Sequence, residues 1–426
     1  MALRLSMFLT AAVLLSCTGA SAASVKVLYS FCALSDCADG EQPSGELLPD
    51  GAGGFFGTTI EGGPNNAGEI FDLVPNGGGW SLNVLYGFCS QTNCSDGEQP
   101  QSNLIADQAG DLYGATVFGG NIVGNGGSAG VIFELMPNAG RTSWTLKVLH
   151  RFCAGSGCPD GSAPQGLTYA GAASGVAYDG ASPLYGATQY GGTYTGGTVF
   201  VLKPNGKGAW NEKVLHDFCV PFKCQSDGAL PGTPVVDGAG NLFGPTDNDG
   251  KYGEGTIYEV SPKGKSWSER TIHDFCPQSG CSDGGFPLAP LIVDGAGDLL
   301  GTTTFGGGIF KLAPSGKHYD FTLLHAFCQQ VLCTDGLYPQ GRLAMDASGN
   351  LLGTTVAGGG PPGGQGGTVF SFGPPFKVLY SFCGERDCTD GAKPRAAVTL
   401  DASGNIYSTT SLGGAQNEGT IFELAP

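Results

Sequence analysis

The chain has 426 residues, of which 75 are glycine and only 13% are charged, and its formal net charge is −17. Hydrophobic content of 41% is enough to build a core and excludes general disorder. Abundant glycine without a collagen period means many tight turns, and the acidic balance opposes nucleic acid and anionic lipid as partners.

The first segment reads as an export signal. Arg4 supplies the positive start, and Leu5 to Leu15 form an apolar stretch too short to span a bilayer. Ala20-Ser21-Ala22 matches a small-x-small cleavage site. The expected division is therefore a signal peptide over residues 1–22 and one domain over 23–426. A second reading takes Leu14-Leu15-Ser16-Cys17 as a lipobox, with a lipid on Cys17. No other stretch has the makings of a transmembrane segment. Secretion or display at the cell surface is expected, as a monomer.

Of the 15 cysteines, removal of Cys17 leaves an even number. They fall into pairs of one spacing, C-x4-C: Cys32/Cys37, Cys89/Cys94, Cys153/Cys158, Cys219/Cys224, Cys276/Cys281, Cys328/Cys333 and Cys383/Cys388. The first cysteine recurs after 57, 64, 66, 57, 52 and 55 residues, a period that signals a propeller, solenoid or array. As metal ligands the pairs would each need two more donors, and no His or Cys recurs beside them. As disulfides each closes a small ring worth about 2 kcal/mol in the chain-entropy model, which suits an oxidising compartment.

The whole unit repeats around these pairs. An apolar run such as Val27-Leu28-Tyr29-Ser30-Phe31 precedes each pair, and an Asp-Gly step follows it. Next come an apolar run ending in an Asp turn (Asp346-Ala347-Ser348-Gly349-Asn350), a run such as Leu351-Leu352-Gly353-Thr354-Thr355, a Gly-rich loop, and a run such as Gly367-Thr368-Val369-Phe370. That makes four short strands per unit, joined by residues that accept positive φ. Repeated radially, such units are propeller blades. The chain starts with one spare strand of the pre-cysteine type and stops after a third strand, Ile421-Phe422-Glu423-Leu424. If Val25 to Phe31 completes the last blade, the ring closes and no edge is left exposed. The expected fold is all-β: a seven-bladed β-propeller of four-stranded antiparallel blades, closed by the N-terminal strand.

The run D-G-x-x-P, then D-x-x-G-N-L-Y-G-T-T, then G-G and G-T-I-F-E-L, resembles the GloVer tandem repeat of bacterial exported, choice-of-anchor proteins. The resemblance implies a secreted or cell-surface propeller-like protein and brings no catalytic residues with it. The chain departs from the pattern at an insertion, Ala170 to Ser174, at the fourth unit, which lacks the Gly-Gly pair, and at a shortened fifth unit around Gly306-Gly307-Gly308.

Strand alternation puts the Cys loops and the Gly-rich loops on one face of the disc, and the Asp and Trp turns on the other. Loops on a rigid scaffold are where binding concentrates. Asp39, Asp96, Asp160, Asp227, Asp283, Asp335 and Asp390 enter the innermost strands. As a ring of carboxylates they would suit Ca²⁺ or a cationic ligand; as structural groups each would accept backbone hydrogen bonds in its own turn. No other cofactor is expected. His150, His216, His273 and His325 alternate with Tyr29, Tyr86 and Tyr380 at one repeat position, which argues for packing with a polar tip; His318 stands apart.

An enzyme site should break the repeat, because chemistry needs unlike residues converging on one place. The clearest break is Asp247-Asn248-Asp249-Gly250-Lys251, which faintly resembles a calcium loop without its ligand spacing. Glu61, Arg386, Lys393 and Arg395 are further breaks. Three functions follow: a non-catalytic binding or scaffolding module for an extracellular glycan or protein, an extracellular carbohydrate-active propeller enzyme, a lyase or hydrolase, or a purely structural surface component. Paired carboxylates at the channel mouth would mark the enzyme. Exposed aromatics on the loop face would mark a glycan binder.

Overall fold

In a computed structural model, residues 24–425 are described except 124–126, 222, 279, 330 and 361–365, and, for their side chains, 122–123 and 127–128. The expected signal segment, residues 1–22, and Cys17 within it lie outside the described residues. The described residues form seven antiparallel sheets of the expected kind, and helix among them is limited to single 3-10 turns. Blade one runs from Glu41–Pro43 and Leu48–Pro49 through Phe55–Glu61 and Glu69–Asn76 to the outer strand Gly79–Gly87. Five further blades repeat this order. Blade seven takes its first three strands from Thr399–Leu400, Ile406–Thr410 and Thr420–Leu424, and its outer strand is Val25–Ser30.

The closing pair is antiparallel, from Val25 opposite Leu424 to Ser30 opposite Thr420. It carries the bulge found between third and outer strands in the other blades, such as Ile70/Phe71 in blade one. It also ends on the same hydrogen bond: Phe31 N–H donates to the Gly419 carbonyl at 3.0 Å, as Phe88 does to Gly68. The ring thus closes with the chemistry of its interior seams.

One aromatic contact recurs at every seam. The phenylalanine before each first cysteine is buried and packs on an aromatic in the third strand of the next blade. The pairs Phe31–Phe71, Phe88–Phe133, Phe152–Phe200, Phe218–Tyr258, Phe275–Phe310, Phe327–Phe370 and Phe382–Phe422 have centroids between 4.9 and 5.5 Å apart. Edge-on aromatic packing at this distance adds to plain area burial. It also explains the glycine in Leu-Leu-Gly-Thr-Thr. Gly353 lies directly opposite Phe370, and a Cβ there would overlap the ring. At the rim, Trp144, Trp210 and Trp267 reach back to Phe56, Tyr113 and Tyr185 of the preceding blade.

Because the ring depends on Val25–Ser30, a protein lacking residues 24–31 should melt well below the full chain. A synthetic peptide spanning Val25 to Phe31 should restore part of the loss. A thermal melt with and without the peptide checks this, and unchanged melting of the truncated chain would contradict the closure.

Candidate functional site

The Cys loops and the Gly-rich loops do share a face, and six of the seven pairs of loops are tied together. The N–H of Gly63, Gly120, Gly192, Gly250, Gly359 and Gly414 donates to the carbonyl of Cys37, Cys94, Cys158, Cys224, Cys333 and Cys388 at 2.9–3.0 Å. The fifth unit departs from this equivalence at Cys281. Its carbonyl accepts the N–H of Gly284 at 2.9 Å within the Cys loop, but no glycine of the shortened loop at Gly306-Gly307-Gly308 donates to it. Deletion in that loop removes the residue that would reach back.

All seven cysteine pairs are disulfides, with Cα–Cα separations from 3.9 Å at Cys219–Cys224 to 4.2 Å at Cys276–Cys281. The first cysteine of each pair has φ between +56° and +66°, a strained posture for a residue with a side chain. The second is also left-handed in six pairs, from +46° at Cys281 to +54° at Cys388.

The break at 247–251 turns out to be the same loop in other residues. Gly250 makes the bond of the second glycine, and Asp249, at φ +61°, takes the left-handed place of the first. Aspartate tolerates that region. Asp247 is half-buried, and burial raises its pKa. Among the described residues no three His, Cys, Asp or Glu side chains gather to hold a metal ion.

The aspartates and the Tyr/His series, which look like separate features in sequence, are partners. Tyr29 donates to Asp39 at 2.7 Å, Tyr86 to Asp96 at 2.7 Å and Tyr380 to Asp390 at 2.9 Å. His150, His216 and His273 lie 3.1–3.2 Å from Asp160, Asp227 and Asp283, and His325 lies 3.3 Å from Asp335. The same carboxylates accept loop N–H groups, for example from Ala33 and Leu34 on Asp39, or from Cys153 on Asp160. Each aspartate therefore latches the outer strand of one blade to the loop entering the next. Burial and the neighbouring carboxylate raise the tyrosines, Tyr86 to about 12, while burial lowers His273 and His325. The separation of ten residues, eleven in the fourth unit, was the signal available in sequence.

At later seams an aromatic covers the latch, with Phe321 stacked on His273 at 4.4 Å and Phe376 on His325 at 3.9 Å. Blades three and four place Glu212 and Glu269 at that position of their outer strands. Burial, with Asp160 and Asp227 nearby, pushes them up to about 8 and about 7.

Replacing Tyr86 by Phe removes one hydrogen bond to a charged acceptor. It should cost about 2 kcal/mol, read by urea unfolding, with a further loss when Asp96→Asn is added, because the N–H groups of Ser90 and Gln91 then lose their charged acceptor.

Glu69 is a second buried carboxyl that sequence reasoning passed over. It stands where Thr198, Thr256, Thr368 and Thr420 pair with a threonine across the strand, yet both of its oxygens are buried without a hydrogen bond. Burial first, and Asp39 second, raise its pKa to about 9. The unfolded chain ionises this group near 4.5 while the folded protein keeps the proton, so stability falls as pH rises between those values. Glu69→Thr should therefore raise the melting temperature at pH 8 and change it little at pH 4.

The first strands of all seven blades line a central cavity of about 890 Å³, the size of ordinary ligand sites. The insertion also reaches it, through Ala172 and Ala173. Its charged lining is Glu46, Asp294, Arg342 and Arg395. Arg342 Nη2 donates to both Glu46 oxygens at 2.7 and 2.8 Å, and Asn103 donates to Glu46 at 3.1 Å. Asp294 turns its Oδ1 to the N–H groups of Ala296 and Asp298 in its own turn, on the far face. Of the single residues that break the repeat, Arg395 reaches the cavity. Glu61 ends a second strand on the loop-face rim, beside Glu41. Arg386 is an exposed Cys-loop residue 3.5 Å from Asp387, and Lys393 lies two residues before Arg395.

The model of the Gloeobacter/Verrucomicrobia repeat matches residues 14–183 and 171–422. The chain belongs to that repeat family. No curated protein sequence matches it. Solved structures similar to this repeat protein include a putative gluconolactonase, at 10% identity over 95% of this chain and 93% of that one, with a TM-score of 0.42. Another is a gluconolactonase from Xanthomonas campestris, at 11% identity, 78% and 85% coverage and a TM-score of 0.42. A third is a putative oxidoreductase (glucose dehydrogenase) from Thermus thermophilus, at 14%, 95%, 100% and 0.44. At such values these likenesses say nothing of activity.

Among the described residues the exposed aromatics are Phe118, Tyr190, Tyr252, Phe305 and Tyr338, each at least 40% exposed. All five belong to the loop face. Phe118, Tyr190 and Phe305 end second strands just before the glycines, Tyr252 sits in the fourth Gly-rich loop, and Tyr338 begins the sixth blade. No helix of the described residues is long and apolar enough to cross a membrane.

Proposed function

We propose that this repeat protein is an exported, non-catalytic binding module whose loop face takes up an extracellular glycan. The placement of the five exposed aromatics carries the reading. Sugar rings present apolar C–H faces that stack on aromatic side chains, and their hydroxyls need amide, hydroxyl and charged partners close by. Gln101, Gln165 and Gln340 in the cavity wall supply such partners. The seven disulfides agree with an oxidising compartment outside the cytosol.

Cleavage is the less favoured alternative. A glycosidase needs two carboxyl groups facing one bond. In this cavity Glu46 is neutralised by Arg342, and Asp294 is engaged in a turn.

A glycan array probed with the mature protein should give defined positives. The double change Tyr190→Ala and Phe305→Ala should weaken them about tenfold, from the loss of two stacking contacts, without altering the melting temperature. An empty array, or the release of shortened sugars from a bound glycan, would overturn the reading.

A further inference from the structure

The cavity wall is uneven around its circumference, and the unevenness has a sign. On the residue after the proline that opens the first strand, Gln101, Gln165 and Gln340 are amides, Ser44 is a hydroxyl, and blade seven alone supplies a charge, Arg395. Farther in, Arg342 of blade six and Glu46 of blade one pair across blade seven, where Ala397 presents only a methyl group. That pair is neutral. Arg395 stands on the mouth side of it, exposed, with no ion pair or hydrogen bond among the described residues. Lys393 lies two residues earlier, held at φ +55° just before Pro394, and its ammonium is likewise unpaired among the described residues. The entry to blade seven therefore carries two free positive charges on a molecule whose net charge is −17.

A planar guanidinium beside amides is the donor set for a carboxylate flanked by hydroxyl groups. The guanidinium fork matches a carboxylate bidentately, and Lys393 adds to the local field. A neutral sugar would leave Arg395 with water as its partner. The general negative field of the molecule is screened beyond roughly 8 Å at physiological salt, so the two nearby cations decide what binds at the mouth.

We infer that the channel mouth selects an acidic saccharide, with Arg395 holding a sugar carboxylate, Gln340 receiving a neighbouring hydroxyl, and the rim aromatics stacking on the rest of the chain. This rests on the glycan reading above.

The test uses a matched pair of probes, an oligogalacturonate and its fully methyl-esterified form, with a sulfated oligosaccharide as a third arm. Calorimetric titration of the mature protein should show the acid bound at least about tenfold more tightly than the ester, as for one charge-assisted pair. Arg395→Gln should erase that difference by weakening the acid far more than the ester, and Arg395→Lys should restore part of it. An unchanged melting temperature for both variants keeps the comparison clean. Equal affinity for acid and ester, tighter binding of the sulfated probe than of the acid, or an Arg395→Gln protein that still prefers the acid would each overturn the carboxylate site. Failure of these probes alongside neutral glycans retained on the array would end this inference and leave the glycan reading standing. An array without any bound glycan would end both.

Discussion

Whether seven similar sheets make a ring or a row is decided by the pairing of Val25–Ser30 with Thr420–Leu424. A strand ladder is directional and short in reach, so this pairing fixes the rotation per blade through every intervening seam. Those seams answer with constant geometry: one phenylalanine and one opposing aromatic, with a glycine beneath it in blades one to six and Ser408 in its place under Phe422. Glycine is tolerated in the middle of a strand, at its usual cost, because the ring of the next strand needs the volume of the missing side chain. The disulfides act locally. Each closes a loop between adjacent outer and inner strands, and the aspartate latch fastens the same loop from within.

Symmetry of this kind separates residues that hold the scaffold from residues free to vary. The latching aspartates recur in every unit with their oxygens committed to tyrosine, histidine and backbone donors, except Asp390 Oδ1, which is buried without a hydrogen bond. A carboxylate so engaged has little left to offer a ligand. The cavity wall is different. Its equivalent positions carry glutamate, asparagine, proline, arginine and alanine, and the one ion pair among them bridges the blade that the two ends of the chain build together. Thr399 adds a hydrogen bond from blade seven to the Leu47 carbonyl of blade one at 2.6 Å. The seam that closes the ring is thus also where the wall departs most from sevenfold character.

Much of the architecture was legible because turn chemistry is local. Glycine and asparagine at fixed offsets, and cysteines five apart, announce strand ends without knowledge of the fold. The partnership of Tyr86 with Asp96 was half legible. Both positions recur, but hydrogen bonding between them needs the bulge and the loop that fold ten residues into contact. Glu69 could be seen as the odd member of a threonine series, though nothing in sequence says that its oxygens go unpartnered. The pairing of Glu46 with Arg342 lay beyond sequence altogether, since 296 residues separate them and only ring closure brings them together.

The seven residues that precede the first-strand prolines sharpen the distinction between strain and function. Gln42, Gln99, Ala163, Leu230, Phe286, Tyr338 and Lys393 all have φ between +50° and +60°. Strained backbone often points to a functional site, but here it recurs at every blade and has an architectural cause. In blades one to five and in blade seven the N–H of this residue reaches back to a carbonyl of the preceding blade, as Gln42 does to Glu418 and Leu230 to Gly196, both at 2.9 Å. The posture is therefore imposed by the seam, while the side chain is not. One backbone conformation presents two amides, small and large apolar groups, two aromatics and a cation around a single mouth. A rigid frame with interchangeable side chains suits recognition, where specificity needs differences in contact and no shared reacting atom.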